Sequence, residues 1–231
     1  MLQISAKDLG RLKTGDFCPR CFWITRHDRH LPYQTPFAGI FSSIDAYTKS
    51  VVAKHFERHG RLPGWLAGIG DVKRLVEVKP FAFRTEKDGT AFTGIPDQLF
   101  QRPDGSYGII DYKTARYTGA QDLLMPVYEV QLNGYAYIAE ATGLRPVGGL
   151  YLAYFEPPKR ERFDELTRRH TTAEGFEMPF IPSVHRVRKD TKEVERLIEQ
   201  ASRIYAMSEP PAGAAGCEDC KRLDELVRMV G

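Results

Sequence analysis

Long hydrophobic runs are missing from this chain, as are internal repeats, low-complexity tracts and any strong excess of one charge. No stretch approaches the ~20 apolar residues that a membrane helix needs. The N-terminal Met1-Leu2-Gln3-Ile4-Ser5 also lacks a signal-peptide core, so a cytoplasmic protein with no membrane partner is expected. Against 30 Asp and Glu stand 33 Lys and Arg, a net charge of +3 that permits a nucleic-acid partner without demanding one. Cysteine is scarce, and all four copies fall in two C-x-x-C pairs, Cys18/Cys21 and Cys217/Cys220. In a reducing compartment such pairs point to metal ligation more than to disulfides. What is present is ordinary for a globular protein: 231 residues, 42% hydrophobic, enough to bury one proper core, so a single domain over 1–231 is expected.

Local patterns divide the chain. Ser5-Ala6-Lys7-Asp8 reads as a capping box opening a short helix that ends near Gly15, with Ile4 and Leu9 as a hydrophobic staple. Ile44, Tyr47 and Val51 recur at helical spacing between Ile40 and His59, and the stretch from Leu62 to Gly70 reads as a loop. Strands are expected over Leu75–Arg84, Thr90–Phe100 and Tyr107–Lys113, separated by turn signals around Gly89 and Gly105. A helix follows from Val127 to Thr142, then strands over Gly149–Phe155 and Phe180–Arg188. Asp190 with Glu193 caps a last long helix, and a Pro- and Gly-rich spacer precedes the second cysteine pair. This order gives an α/β fold with a central mixed sheet flanked by helices.

Chemistry concentrates on two neighbouring strands. Asp111 and Lys113 lie two apart, so both point to one face, shared with Ile109, while Ile110 and Tyr112 face the other. Asp97 follows Pro96, a residue confined to strand edges and breaks, so its carboxylate is expected where the strand opens into a cleft. Two carboxylates converging there form a hard oxygen site suited to Mg²⁺ or Mn²⁺. An exposed hairpin can carry Asp-x-Lys by chance. Ending a hydrophobic strand beside a Pro-Asp is a different matter, because buried charges are costly without a task or a partner.

At this point the chain resembles the RecB-like branch of the PD-(D/E)XK nuclease superfamily. The matching residues are Gly94-x-Pro96-Asp97, Ile110-Asp111-Tyr112-Lys113-Thr114, Gln131-x-x-x-Tyr135 and the early Cys18-Pro19-Arg20, in the family's order. The resemblance implies a restriction-endonuclease-like core, metal-dependent DNA cleavage, Asp97 and Asp111 as metal ligands, and Lys113 as the catalytic lysine. Gln131 and Tyr135, one helical turn apart, would lean over the cleft toward substrate or metal-bound water. The branch also carries a metal-binding histidine on the helix before the strands, and none occurs here. Asp45 either replaces it as a third acidic ligand or is a solvated first-turn acid; His55 and His59 lie too far along. CRISPR-associated and helicase-linked relatives bind an iron–sulfur cluster, which makes that the first expectation for the four cysteines, with Zn²⁺ as the alternative. Either would clip the chain ends together.

Basic groups (Arg20, Arg26 and Arg29; Lys159, Arg160 and Arg162; Arg168 and Arg169; Arg186, Arg188 and Lys189) alternate with Phe22, Trp23, Tyr33 and Tyr117, a pattern compatible with single-stranded DNA. The expected activity is a deoxyribonuclease, an exonuclease on single strands or ends in repair, recombination or defence, with a helicase or similar protein as a possible partner. The rival is a RecB-like DNA-binding or assembly module that cleaves little. A metal-clipped interaction domain without nucleic acid is the remoter option.

Overall fold

The structure, a computed structural model, describes residues 1–28, 39–79, 81–119 and 123–230. Arg29 and Tyr33, named above for the substrate surface, lie outside the described residues. Two sheets form the frame. Strands β1 (Leu2–Ser5), β4 (Thr90–Thr93) and β3 (Arg84–Lys87) make a three-stranded sheet in that order. A five-stranded mixed sheet runs β2 (Arg74–Val76), β5 (Gln98–Gln101), β6 (Tyr107–Lys113), β7 (Val147–Glu156) and β8 (Ile181–Val187), with β6 and β7 parallel and the other pairs antiparallel.

The α/β architecture and the flanked mixed sheet are as expected, with two strand corrections. The segment 90–100 is not one strand: it breaks after Thr93, and its halves join different sheets. Gly94, Ile95 and Pro96 supply the break, since Pro96 has no N–H for a ladder. The expected strand over 75–84 survives only as β2 and the first residue of β3.

Helices cover both faces of the larger sheet. On one side lie α1 (Ala6–Gly10), α4 (Met125–Ala141) and α6 (Thr191–Tyr205), around a core that includes Leu9, Ile109, Leu132, Leu152 and Ile198. On the other, α3 (Gly39–His59) and the 3-10 turn Gly64–Ile69 cover Ile110, Tyr112, Tyr151 and Phe155 through Val52, Leu66 and Ile69. The alternation along β6 is thus as its sequence dictates, with Ile109 in one core and Ile110 in the other.

Both expected caps form. Ser5 Oγ accepts from Asp8 N at 3.0 Å, and Asp190 Oδ1 accepts from Glu193 N at 3.1 Å. The α6 face Val194, Leu197, Ile198, Ala201 and Ile204 is fully buried. Each large member contributes roughly 1.5–3 kcal/mol of burial. The chain is completed by α2 (Pro19–His27), α5 (Phe163–His170) and α7 (Glu218–Val230). Among the described residues no helix is long and apolar enough to cross a membrane.

Candidate active site

The end of β6 carries the centre of the site. Asp111 is 2% exposed, and its Oδ2 lies 2.6 Å from Lys113 Nζ. That contact is an ion pair without hydrogen-bond geometry, which leaves Oδ2 a buried acceptor with no hydrogen bond. Burial pushes the Asp111 carboxyl up to about 6; Lys113 pulls it down and Asp97 pushes it further up. The register extends this rung across the sheet. Asp111 aligns with Leu152 and then His185, and Lys113 with Tyr154 and then Ser183.

From above, α4 locks the pair. Gln131 Oε1 accepts from Lys113 Nζ at 3.1 Å, while Nε2 donates to Asp111 Oδ1 at 3.2 Å and to Tyr135 Oη at 2.7 Å. The amide therefore presents its oxygen to the ammonium and its nitrogen to the carboxylate, the only sense in which both contacts are attractive. Gln131 and Tyr135 are each 5% exposed. They stand behind the carboxylate and hold it, where the sequence had suggested residues leaning into an open cleft. The Tyr128 ring lies 4.0 Å from Lys113 Nζ and completes its cage.

Asp97 arrives from the chain break just before β5. Its Oδ2 accepts from the backbone N–H of Tyr112 at 2.7 Å. Beyond Gln98 the β5 partner strand has ended, so the side chain takes the place of a missing ladder acceptor. Its Oδ1 lies 2.7 Å from Lys49 Nζ, and Lys49 is also 2.7 Å from Asp45 Oδ2. Asp45 reaches Asp97 through Lys49 alone and is half exposed; it is adjacent to the site without being gathered against the other two acids. Burial lowers the Lys49 pKa, but the hydrogen bonds to Asp45 and Asp97 outweigh it and the net shift is upward.

The four cysteines come together across the fold. Cys18 caps α2 and Cys21 lies in its first turn; Cys217 precedes α7 and Cys220 lies in its first turn. Each C-x-x-C thus straddles a helix start, where three-residue spacing puts both thiols on one side and the dipole favours thiolate. Sulfur–sulfur distances are 3.5 Å for Cys18–Cys220, 3.5 Å for Cys21–Cys220 and 3.6 Å for Cys21–Cys217, and all four lie within 4.8 Å of one another. Burial raises the Cys18 thiol, but backbone N–H donation from Cys21 and Ala214 more than offsets it and brings it to about 6. Gly213 passes so close that a Cβ there would sit 2.8 Å from Cys220 Sγ. Arg20 clamps Asp224 of α7 with contacts of 3.3 and 2.9 Å.

Two groups of side chains stand out: the carboxylates of Asp97 and Asp111 at the end of β6, and four cysteine sulfurs close enough together to bind a metal. Sequence reasoning missed Lys49 and Tyr128. The i, i+4 spacing of Asp45 and Lys49 was the available signal for the first. It also missed the stack of Tyr117 on His185 at 3.6 Å, because no sequence spacing connects the loop after β6 to β8.

The family profile described as the PD-(D/E)XK nuclease superfamily matches residues 23–223. Thirteen chains of solved structures also match. One is SSO0001, 15% identical, covering 90% of this chain and 78% of that one with a TM-score of 0.46. Another is an alkaline exonuclease (LHK-Exo) from Laribacter hongkongensis, 12% identical, covering 97% and 94% with a TM-score of 0.44. Both are distant likenesses and carry no inference about activity. No curated protein matches the chain significantly. With a profile match over most of its length, this chain belongs to the PD-(D/E)XK nuclease superfamily.

Proposed function

We propose that this protein is a metal-dependent deoxyribonuclease that hydrolyses DNA phosphodiester bonds as an exonuclease on single strands or ends. One observation carries the reading. Asp111, Lys113 and Gln131 form a closed, buried network at the end of β6, and Asp97 stands at the neighbouring strand break with an oxygen turned to a cation. A buried carboxylate and ammonium without a task are an expense that folding alone does not explain.

The donors fit a hard divalent ion. Among the described residues, Asp111 Oδ2 and Asp97 Oδ1 each meet a lysine ammonium, Lys113 at 2.6 Å and Lys49 at 2.7 Å, in the position a divalent ion would take. Asp97 and Asp111 would hold Mg²⁺ or Mn²⁺, with Asp45 next in reach as an outer acid. Such an ion supplies an activated water and neutralises phosphate charge. Lys113 orients the attacking water or meets the charge that develops on the phosphate. Gln131 fixes the rotamers of both Asp111 and Lys113, and Tyr135 fixes Gln131; these two position the machinery. The Tyr117–His185 stack lies two strands from Asp111 on the same sheet face, where an emerging base could stack.

At the cysteines we favour one tetrahedral Zn²⁺ over an iron–sulfur cluster. Four thiolates about 2.3 Å from one tetrahedral ion lie about 3.8 Å apart. Three sulfur contacts of 3.5 to 3.6 Å, with all four sulfurs within 4.8 Å of one another, lie nearer that spacing than the wider ligand set of a polynuclear cluster. Its role is structural. A repair, recombination or defence setting with a helicase-type partner is compatible with this reading.

The decisive experiment is hydrolysis of end-labelled single-stranded and duplex DNA in Mg²⁺ or Mn²⁺. Asp111→Ala and Lys113→Ala are expected to lower the rate by about 10²-fold or more while circular dichroism stays unchanged. Equal rates in wild type and both variants would refute the nuclease reading. DNA binding without cleavage would favour the binding-module alternative.

A further inference from the structure

We propose that Lys49 is an exchangeable counter-cation of the cleavage site, whose ammonium occupies Asp97 Oδ1 until a divalent ion takes its place. The proposal rests on the reading of Asp97 as a metal ligand and assigns a role to a residue outside the family motif.

Three features of the geometry carry it. First, Asp97 is pinned by one oxygen. With Oδ2 on the Tyr112 N–H at 2.7 Å, the carboxylate cannot rotate freely, and Oδ1 is its oxygen for a cation. Lys49 Nζ sits there at 2.7 Å, so ammonium and divalent ion compete for the same atom. Second, Lys49 has a place to retreat. It pairs equally with Asp45, four residues earlier on α3, also at 2.7 Å. That second contact lies on the exposed helix side and can persist when Asp97 is released. Third, the two lysines of the site differ in freedom. Lys113 has a side chain 13% exposed and is held by Asp111, Gln131 and the Tyr128 ring. The Lys49 side chain is 38% exposed, and among the described residues it is held by the two acids alone. Strand β6 therefore contributes a fixed cation and α3 an exchangeable one.

The charges agree. Asp45, Asp97 and Asp111 face Lys49 and Lys113, which leaves a residual charge of −1 in the metal-free site. Without Lys49, two pinned carboxylates on adjacent strands would repel each other around one ammonium. The Tyr112 N–H already fixes the Asp97 carboxylate, so Lys49 only neutralises Oδ1 before the ion arrives, and in doing so lowers the apparent affinity for that ion.

A purely structural salt bridge makes the opposite prediction, because its loss would disorder Asp97 and weaken metal binding. The test is Mn²⁺ binding to the whole chain, followed by electron paramagnetic resonance without DNA and with the cysteine centre loaded. Lys49→Met is expected to bind Mn²⁺ about five-fold more tightly than wild type, the equivalent of one partly exposed ion pair. Lys49→Gln, which retains polarity and length, is expected to tighten binding too and decides the matter if the methionine variant folds poorly. Asp97→Asn is expected to lose the bound signal with or without Lys49. Unchanged or weaker binding in the folded lysine variants overturns the proposal and leaves the nuclease reading standing. No Mn²⁺ binding by the wild type overturns both.

Discussion

One carboxyl group, Asp111, is expected to set the pH response of this site. Asp111 is buried among apolar strand residues, and burial is the largest influence on it, raising it to about 6 against the pull of Lys113. Below that value the carboxyl holds a proton that a divalent ion must displace; above it the carboxylate is free. Apparent Mn²⁺ affinity should therefore weaken about ten-fold for each pH unit below about 6 and level off above it. Calorimetric titration at pH 5, 6, 7 and 8 checks this, and a flat profile would show that Asp111 is not a ligand. The residue scale also shows why Gln131 matters. Its amide has three polar contacts and satisfies all three with Lys113, Asp111 and Tyr135. An apolar residue in its place would leave the Asp111–Lys113 pair but remove one hydrogen bond from each partner.

At the scale of elements, the strand break before β5 joins fold and site. The Gly94 backbone runs against the Tyr135 ring so closely that a Cβ would lie 2.6 Å from Cε1 and 2.8 Å from Cδ1. Tyr135 is 5% exposed and cannot swing away. Gly94→Ala is expected to cost about 1–3 kcal/mol in urea unfolding. Gly64→Ala, where nothing lies within 4 Å, should stay within about 0.5 kcal/mol and serves as the control. Equal stability of the two variants would mean that the chain path around Gly94 relaxes freely. The same break explains what could be read from sequence. Asp111, Lys113 and their shared face followed from strand alternation, and α4 and α6 from helical spacing and an Asp190 cap. Pro96 marked Asp97 as a strand-edge residue. It did not reveal that β4 and β5 part into different sheets, because sheet partners are chosen by distant segments such as β1 and β2. Likewise α2 begins at Pro19, a good first helical residue, but the cysteines around it drew attention to ligation instead of helix initiation. The Lys49 bridge needed a tertiary meeting of α3 with the β5 entry, which no local pattern encodes.

Over the whole molecule, a metal held by the four cysteines would tie residues separated by about two hundred positions, Cys18 to Cys220. A cross-link closing so long a loop restricts the unfolded chain by about 5 kcal/mol in the chain-entropy account. The four cysteines and the Arg20–Asp224 pair join α7 to α2, and α2 in turn is fastened to α6 by the Trp23–His27–Tyr205 stack and by the Trp23 Nε1 bond to Met207 O at 3.0 Å. Because α6 packs on α4, which carries Gln131, loosening the clip should propagate to stability while the network around Asp111 stays assembled. Cys220→Ser is expected to lower the melting temperature by roughly 10–15 °C, with Arg20→Ala giving a smaller loss on the same pathway. Elemental analysis of the wild type should find one zinc per chain and no visible absorption, while iron with sulfide and a brown colour would restore the iron–sulfur alternative. If neither metal co-purifies and Cys220→Ser melts with the wild type, the thiols are a packing cluster. The ends of the chain would then be held by α2, α6 and α7 alone.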